Sequence, residues 1–226
     1  MPTFDGTINV RRFYEATLPV ISQLHHQAMA HQSVSSELRT LRERVGTMPA
    51  EVVCDLGCGF GDWASVYGPT ANRIHLVDLS TSILARAMEY VSFWAPASNV
   101  TCRVFDLFSE TDWQSLAGFR MYLLAFVVGH ATEPQRFGAL ASLRKVVRSG
   151  DRVVLIDSLQ PGPLQNTDAV RYVDLDGHTV GAFKHYFFRD EVLALVRQAG
   201  FEVASSWWGR RYFLVELSLP LKYTVS

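Results

Sequence analysis

The stretch Val52-Val53-Cys54-Asp55-Leu56-Gly57-Cys58-Gly59-Phe60-Gly61, read with Ile74-His75-Leu76-Val77-Asp78, decides the fold. An apolar run enters a glycine-rich turn. A second apolar run then ends on an acid 21 positions after Gly57. This is the layout of a nucleoside-binding βαβ unit. The first strand delivers the turn, and the glycines let a ligand approach the backbone. The acid at the tip of the second strand is placed to accept hydrogen bonds from ribose hydroxyls. The spacing points to an adenosine-type ligand.

The glycines run Gly57-x-Gly59-x-Gly61 rather than G-x-G-x-x-G, with Asp62 next and Asp55 just before the loop. Carboxylates there would repel a pyrophosphate seated on a helix N-terminus, but not a cation. S-adenosylmethionine (SAM) has no phosphate and carries a sulfonium and an ammonium. The segment Asp55 to Gly61 resembles the first motif of the class I SAM-dependent methyltransferases, and Asp78 stands where their ribose acid stands. The competing readings are a nicotinamide-dinucleotide loop or a turn without a ligand. The resemblance covers roughly residues 50–220 in architecture and is specific in motif at 52–61, 74–78 and 100–107. It implies SAM as cofactor, surrounded by Asp55, Gly57, Cys58, Gly59, Asp78, Leu79, Asp106, Leu107 and Phe126. Ser80 follows Leu79 and is also placed to line the adenine. Asp106 matches the family's acid toward the adenine amine; its plainer reading is a turn or capping aspartate.

A chain of 226 residues, 48% hydrophobic, suits one α/β domain with a decoration and a sizeable core. The net charge of −1 leaves no basic excess to set against phosphates, which argues against nucleic acid as partner. Pairs such as Arg11-Arg12 and Arg210-Arg211 read as solvated or structural. No apolar run reaches the length of a membrane span, and no apolar segment of signal-peptide type follows Met1. Cys54, Cys58 and Cys102 show neither metal spacing nor disulfide arithmetic, which suits a reducing cytoplasm. Cys58 needs to be small inside the glycine turn, so it reads as a steric choice rather than a nucleophile.

The pattern predicts a doubly wound, mostly parallel sheet, and the resemblance implies that it is Rossmann-like and seven-stranded with an antiparallel C-terminal strand. Residues 7–47 read as helical, and the resemblance makes 1–48 an N-terminal helical cap. Residues 49–226 form the nucleoside-binding domain, with a β-hairpin lid inserted at about 165–187. Strands are expected at 52–56, 74–77, 100–105, 120–128 and 152–157. Helices are expected at 63–68, 81–94, 134–147 and 189–199, Ser80 capping the second. The hairpin pairs 170–175 with 180–187 around Asp176-Gly177. Residues 201–207 and 212–219 close the sheet.

Few side chains here suit acid–base chemistry. Phe126-Val127-Val128-Gly129-His130 leaves the fourth strand where open α/β sheets place their ligand crevice. It lacks the Asn/Asp-Pro-Pro-aromatic signature of nucleobase amino-methylating enzymes. His130 is a candidate general base because its pKa lies near neutral; the plainer reading is a structural histidine. Aromatic faces stabilise a sulfonium. Phe13, Tyr14, Tyr172, His185, Tyr186, Phe187 and Phe188 are candidates, against the reading that they form the lid's own core. Tyr14 and Tyr172 are preferred, with Tyr186 beside them. His25-His26 point about 100° apart on a helix and do not converge on one ion, so no metal is expected.

Together these readings describe a cytoplasmic SAM-dependent methyltransferase of a small molecule, a monomer or homodimer. An alternative keeps the fold and needs SAM alone. As in the azetidine-2-carboxylate synthases, the α-amine attacks the γ-carbon and methylthioadenosine leaves. A third reading is a SAM-binding protein without turnover, which the intact glycine loop and both acids oppose.

Overall fold

The computed structural model describes residues 15, 36–48, 50–109, 111–160, 162, 167–175 and 178–220. Side chains of 171–175 and 178–181 are outside that description. Nine strands and five α-helices are found among the described residues. The strands are β1 (Val52–Leu56), β2 (Arg73–Asp78), β3 (Asn99–Val104), β4 (Met121–Ala125), β5 (Arg152–Ser158), β6 (Asp168–Leu175), β7 (His178–His185), β8 (Glu202–Trp208) and β9 (Tyr212–Ser218). The helices are α1 (Ser36–Gly46), α2 (Ala64–Tyr67), α3 (Thr81–Trp94), α4 (Glu133–Val146) and α5 (Arg189–Gln198).

Seven strands form one sheet in the order β3-β2-β1-β4-β5-β9-β8. The first five are parallel, and β9 pairs antiparallel with both β5 and β8. Parallel strands with helices on both sides must be apolar on both faces, and β1, β4 and β5 are, whereas the edge strand β3 is largely exposed. Side chains alternate across the sheet. Tyr122, Leu124, Val153 and Leu155 face one core, packed under α4 and α5 through Leu140, Leu143, Val192 and Val196. Met121, Leu123, Val154 and Ile156 face the other, with Leu41, Val45, Leu84, Ala87 and Val91 from α1 and α3. The strand order reverses between β1 and β4, and the carboxyl ends of the strands beside that point are where such sheets bind ligands. The inserted hairpin forms its own two-stranded sheet, β6 with β7.

Two boundaries differ from the sequence expectation in ways that matter. The fourth strand stops at Ala125, short of Val128, because Phe126 adopts φ +61° and turns the chain out of the sheet. Val128–His130 then makes a short 3-10 turn, so His130 sits on a turn and not on a strand end. A 3-10 segment over Trp113–Leu116, unannounced in the sequence pattern, buries Trp113 and Leu116. Of the predicted N-terminal helical segment, Ser36–Gly46 is helical and Glu15 is helical; the other residues before 36 lie outside the described ones. No helix among the described residues is long and apolar enough to cross a membrane.

Candidate functional site

β1 delivers its glycine turn onto the end of β2. The Gly57 and Cys58 N–H groups both donate to the Val77 carbonyl, at 2.7 and 2.9 Å. Gly57 has φ +70°, and a Cβ there would lie 2.5 Å from Val127 Cγ2, so only glycine fits. Gly59, at φ +53°, has nothing within 4 Å of a Cβ and faces open space. Its N–H donates to Asp78 Oδ2 at 3.1 Å, while the Ser80 N–H donates to Asp78 Oδ1 at 3.1 Å. The acid at the tip of β2 is thus held by backbone donors on both oxygens. Burial pushes the Asp78 carboxyl above its usual range, and the N–H groups of Ser80, Gly59 and Leu79 hold it down in part. Ser80 caps α3, accepting from the Ile83 N–H at 3.4 Å, and its hydroxyl donates to Glu15 Oε1 at 2.8 Å.

These groups surround a cavity of roughly 270 Å³, near the lower end of small-molecule pockets (~300–1,000 Å³). Gly57, Cys58, Gly59, Asp78, Leu79, Ser80, Asp106, Leu107, Phe126 and His130 all line it. Asp106 also serves as a turn residue, accepting from the Phe108 N–H at 2.9 Å and the Ser109 hydroxyl at 2.6 Å. Cys58 is buried and its thiol is pushed well up, first by burial and then by Asp78 and Asp55, which suits the steric role.

Other predicted site residues are placed away from the cavity or lie outside the described residues. Asp55 does not line the cavity. It is 1% exposed and accepts from the Tyr67 hydroxyl at 2.7 Å, because its side chain leaves β1 toward α2. Burial raises its pKa to about 7, against the lowering effect of the Tyr67 bond. Tyr186 is half-buried beyond β7, where its N–H donates to the Thr167 carbonyl at 2.7 Å, and it is not a lining residue. His185 and Phe187 are packed inward, ring to ring at 4.6 Å, and Phe188 is exposed. Tyr172 lies in β6 opposite Gly181, with its side chain outside the described residues. Phe13, Tyr14 and the His25-His26 pair also lie outside them.

Among the described residues, the cavity's aromatic wall comes from residues the sequence reading passed over or placed in other roles: Phe60, Trp63, Phe105 and Phe108, beside Phe126. Phe126 is the one described non-glycine residue with positive φ. For a bulky side chain that conformation is strained and needs its surroundings to hold it. Its N–H donates to the Ile156 carbonyl at 2.8 Å, and its ring sits between Trp63 (6.5 Å) and Tyr212 (5.5 Å). The described lining residues include Asp62, Asp78 and Asp106 but no lysine or arginine.

Residues 53–150 match the family model described as a methyltransferase domain. A solved complex of DhpI with SAM and HEP superposes with TM-score 0.75 at 18% identity, covering 95% of this chain and 99% of that one. The chain thus has a Rossmann-like methyltransferase fold. The glycopeptide N-methyltransferase MtfA, complexed with sinefungin, shares the fold at TM-score 0.59 and 17% identity, over 82% of this chain and 93% of that one. The N-methyltransferase NodS from Bradyrhizobium japonicum WM9, solved with S-adenosyl-l-homocysteine, does so at TM-score 0.59 and 14% identity, over 84% and 90%. No curated protein sequence matches the chain. In this methyltransferase fold the glycine turn after β1 and the acid after β2 meet at one cavity, as the motif spacing implied.

Proposed function

We propose that this protein is a methyltransferase that binds SAM in the cavity below β1, β2 and β4 and alkylates a small molecule. One observation carries the choice of ligand. The described lining residues hold three carboxylates, Asp62, Asp78 and Asp106, with aromatic rings and no lysine or arginine. A dinucleotide's pyrophosphate would meet these carboxylates, whereas a cationic nucleoside meets opposite charge and π-faces. The residues therefore fit SAM.

Bound SAM supplies a methyl group already activated by its sulfonium. The chain's own residues bind and orient it. Asp78, held by Gly59 and Ser80, accepts from the ribose hydroxyls. Asp106 accepts from the adenine amine, and Leu79 and Leu107 pack beside the base. Phe126 and Trp63 offer faces to the sulfonium and keep water out. His130 accepts the proton of the attacking nucleophile. Its Nδ1 lies 2.7 Å from the Phe183 carbonyl oxygen, which can only accept. Nδ1 therefore carries the hydrogen, and in the neutral ring Nε2 is the basic nitrogen.

The test begins with purified protein, SAM and no acceptor, with products read by mass spectrometry. It then adds a panel of small amines, alcohols and acids. S-adenosylhomocysteine formed only with an acceptor supports methyl transfer. Methylthioadenosine with a four-membered cyclic amino acid from SAM alone would replace methyl transfer by intramolecular cyclisation. Failure of SAM to bind in calorimetry would overturn the ligand assignment itself. Binding without either product across the panel would leave a SAM-binding protein in place of an enzyme.

A further inference from the structure

The turn that carries His130 is seated on the inserted hairpin by a buried ionic clamp. Asp157, at the end of β5, is 0% exposed. Its Oδ2 accepts from the Gly129 N–H at 2.8 Å. Its Oδ1 accepts from the Ser158 N–H at 2.7 Å and from Lys184 Nζ at 2.5 Å. Lys184 is itself 4% exposed. One residue along on each side, His130 meets the Phe183 carbonyl. Consecutive residues of the turn, Gly129 and His130, thus engage consecutive residues of β7, Lys184 and Phe183. The fit is tight: a Cβ on Gly129 would lie 2.7 Å from Lys184 Nζ, 2.9 Å from the His185 carbonyl oxygen and 3.0 Å from Asp157 Oδ1.

A buried ion pair loses much of its Coulombic gain to desolvation, so it is a weak source of stability; one thing it does supply is register. Lys184 reaches Asp157 only with β7 at one height against the turn, and that height puts the Phe183 carbonyl on His130 Nδ1. We propose that Asp157 and Lys184 are positioning residues that fix the tautomer and ring orientation of His130. The proposal rests on the reading of His130 as the base. The hairpin has a separate attachment. His185 bonds Asp168 at 2.6 Å and Glu191 at 2.7 Å, and Glu191 bonds Arg136 at 3.2 Å. Removing the clamp therefore loosens the register without detaching the hairpin.

The experiment is nitrogen NMR of the full chain with ¹⁵N-labelled histidine, at mildly alkaline pH above the ordinary histidine pKa of ~6.5. The His130 signals are assigned by their loss in His130→Gln. The wild type is expected to show one tautomer, with Nδ1 protonated and Nε2 bare. The double variant Asp157→Asn/Lys184→Met leaves no unpaired charge. It is expected to keep its circular dichroism and its SAM affinity by calorimetry, while both His130 nitrogens move to the averaged shifts of an exchanging ring. Gly129→Ala, which displaces Lys184 by its methyl group, is expected to give the same averaging and serves if the double variant fails to fold. A protonated Nε2 in the wild type, or an unaltered single tautomer in a folded variant, overturns the clamp. The base assignment fails separately, through undiminished methyl transfer by His130→Gln beside an intact wild-type tautomer signature.

Discussion

At the scale of the residue, the two acids of the first motifs behave differently because of where β1 and β2 point them. Asp78 faces the cavity with both oxygens tied to backbone N–H groups. Asp78→Asn keeps an acceptor for the loop and removes the charge that the ribose hydroxyls meet. A hydrogen bond to a charged group contributes ~1.5–3 kcal/mol, so SAM affinity in calorimetry is expected to fall roughly 10- to 100-fold. Asp55 instead lies under the loop with a pKa of about 7 against its ordinary 3.8. Between those two values the folded chain holds a proton that the unfolded chain has released. Stability contributed by this group therefore falls as pH rises through that window and levels off above it, with a limiting slope of ~1.4 kcal/mol per pH unit. Asp55→Asn retains an acceptor for Tyr67 and cannot ionise. Denaturant melts from pH 4 to 8 should show the variant gaining on the wild type as pH rises; parallel curves would refute the buried titration. Asp78 was legible because its spacing from the glycines is set by one βαβ unit. The inward placement of Asp55 was not, since motif position alone does not tell which face of β1 a side chain takes.

At the scale of the element, the sheet was readable in order because each strand is a short apolar run bounded by turn residues. The end of β4 was not readable. Phe126 looks like one more strand aromatic, and its left-handed conformation depends on Trp63 and Tyr212, distant in sequence. The hairpin was readable as two strands, but His185 and Phe187 were assigned to the cavity. His185 is drawn inward by Asp168 and Glu191, and Phe187 follows it under the stacked Arg136 guanidinium. Charge partners on three different elements decide that, and no local pattern reports them. The glycine turn offers a sharper test of element logic. Gly57→Ala meets both a positive φ and the Val127 side chain, so a loss of about 2–4 kcal/mol is expected from left-handed strain plus overpacking. Gly59→Ala meets open cavity, so only the strain of about 1–2 kcal/mol remains. Its methyl group instead projects into open space from a residue that lines the cavity, and SAM affinity should drop more than stability does. Equal stability losses in chemical denaturation would show that the two glycines are not separated in this way.

At the scale of the whole molecule, two cores share one sheet, and the cavity opens where the loops from β1, β2, β3 and β4 converge at its edge. The hairpin and α5 reach that edge through buried charges rather than apolar packing alone. Lys184→Met by itself would leave Asp157 buried and unpaired, and a loss of about 3–5 kcal/mol is expected, largely recovered when Asp157→Asn is added. Denaturant midpoints of the single and double variants measure that recovery. Ligand linkage tests the cavity's chemistry against the entire fold. A ligand that binds only the folded chain stabilises it by about 2.7 kcal/mol at a hundredfold excess over its Kd. In a chain of this size that corresponds to a rise in melting temperature of roughly 5–10 °C. SAM should produce the shift, because the acidic, aromatic lining meets its positive charge. Oxidised nicotinamide adenine dinucleotide shares the adenosine but brings a pyrophosphate to a wall whose described residues include three carboxylates and no lysine or arginine, and should produce none. Equal shifts from both ligands would mean that adenosine alone governs binding and that the three carboxylates do not select for charge.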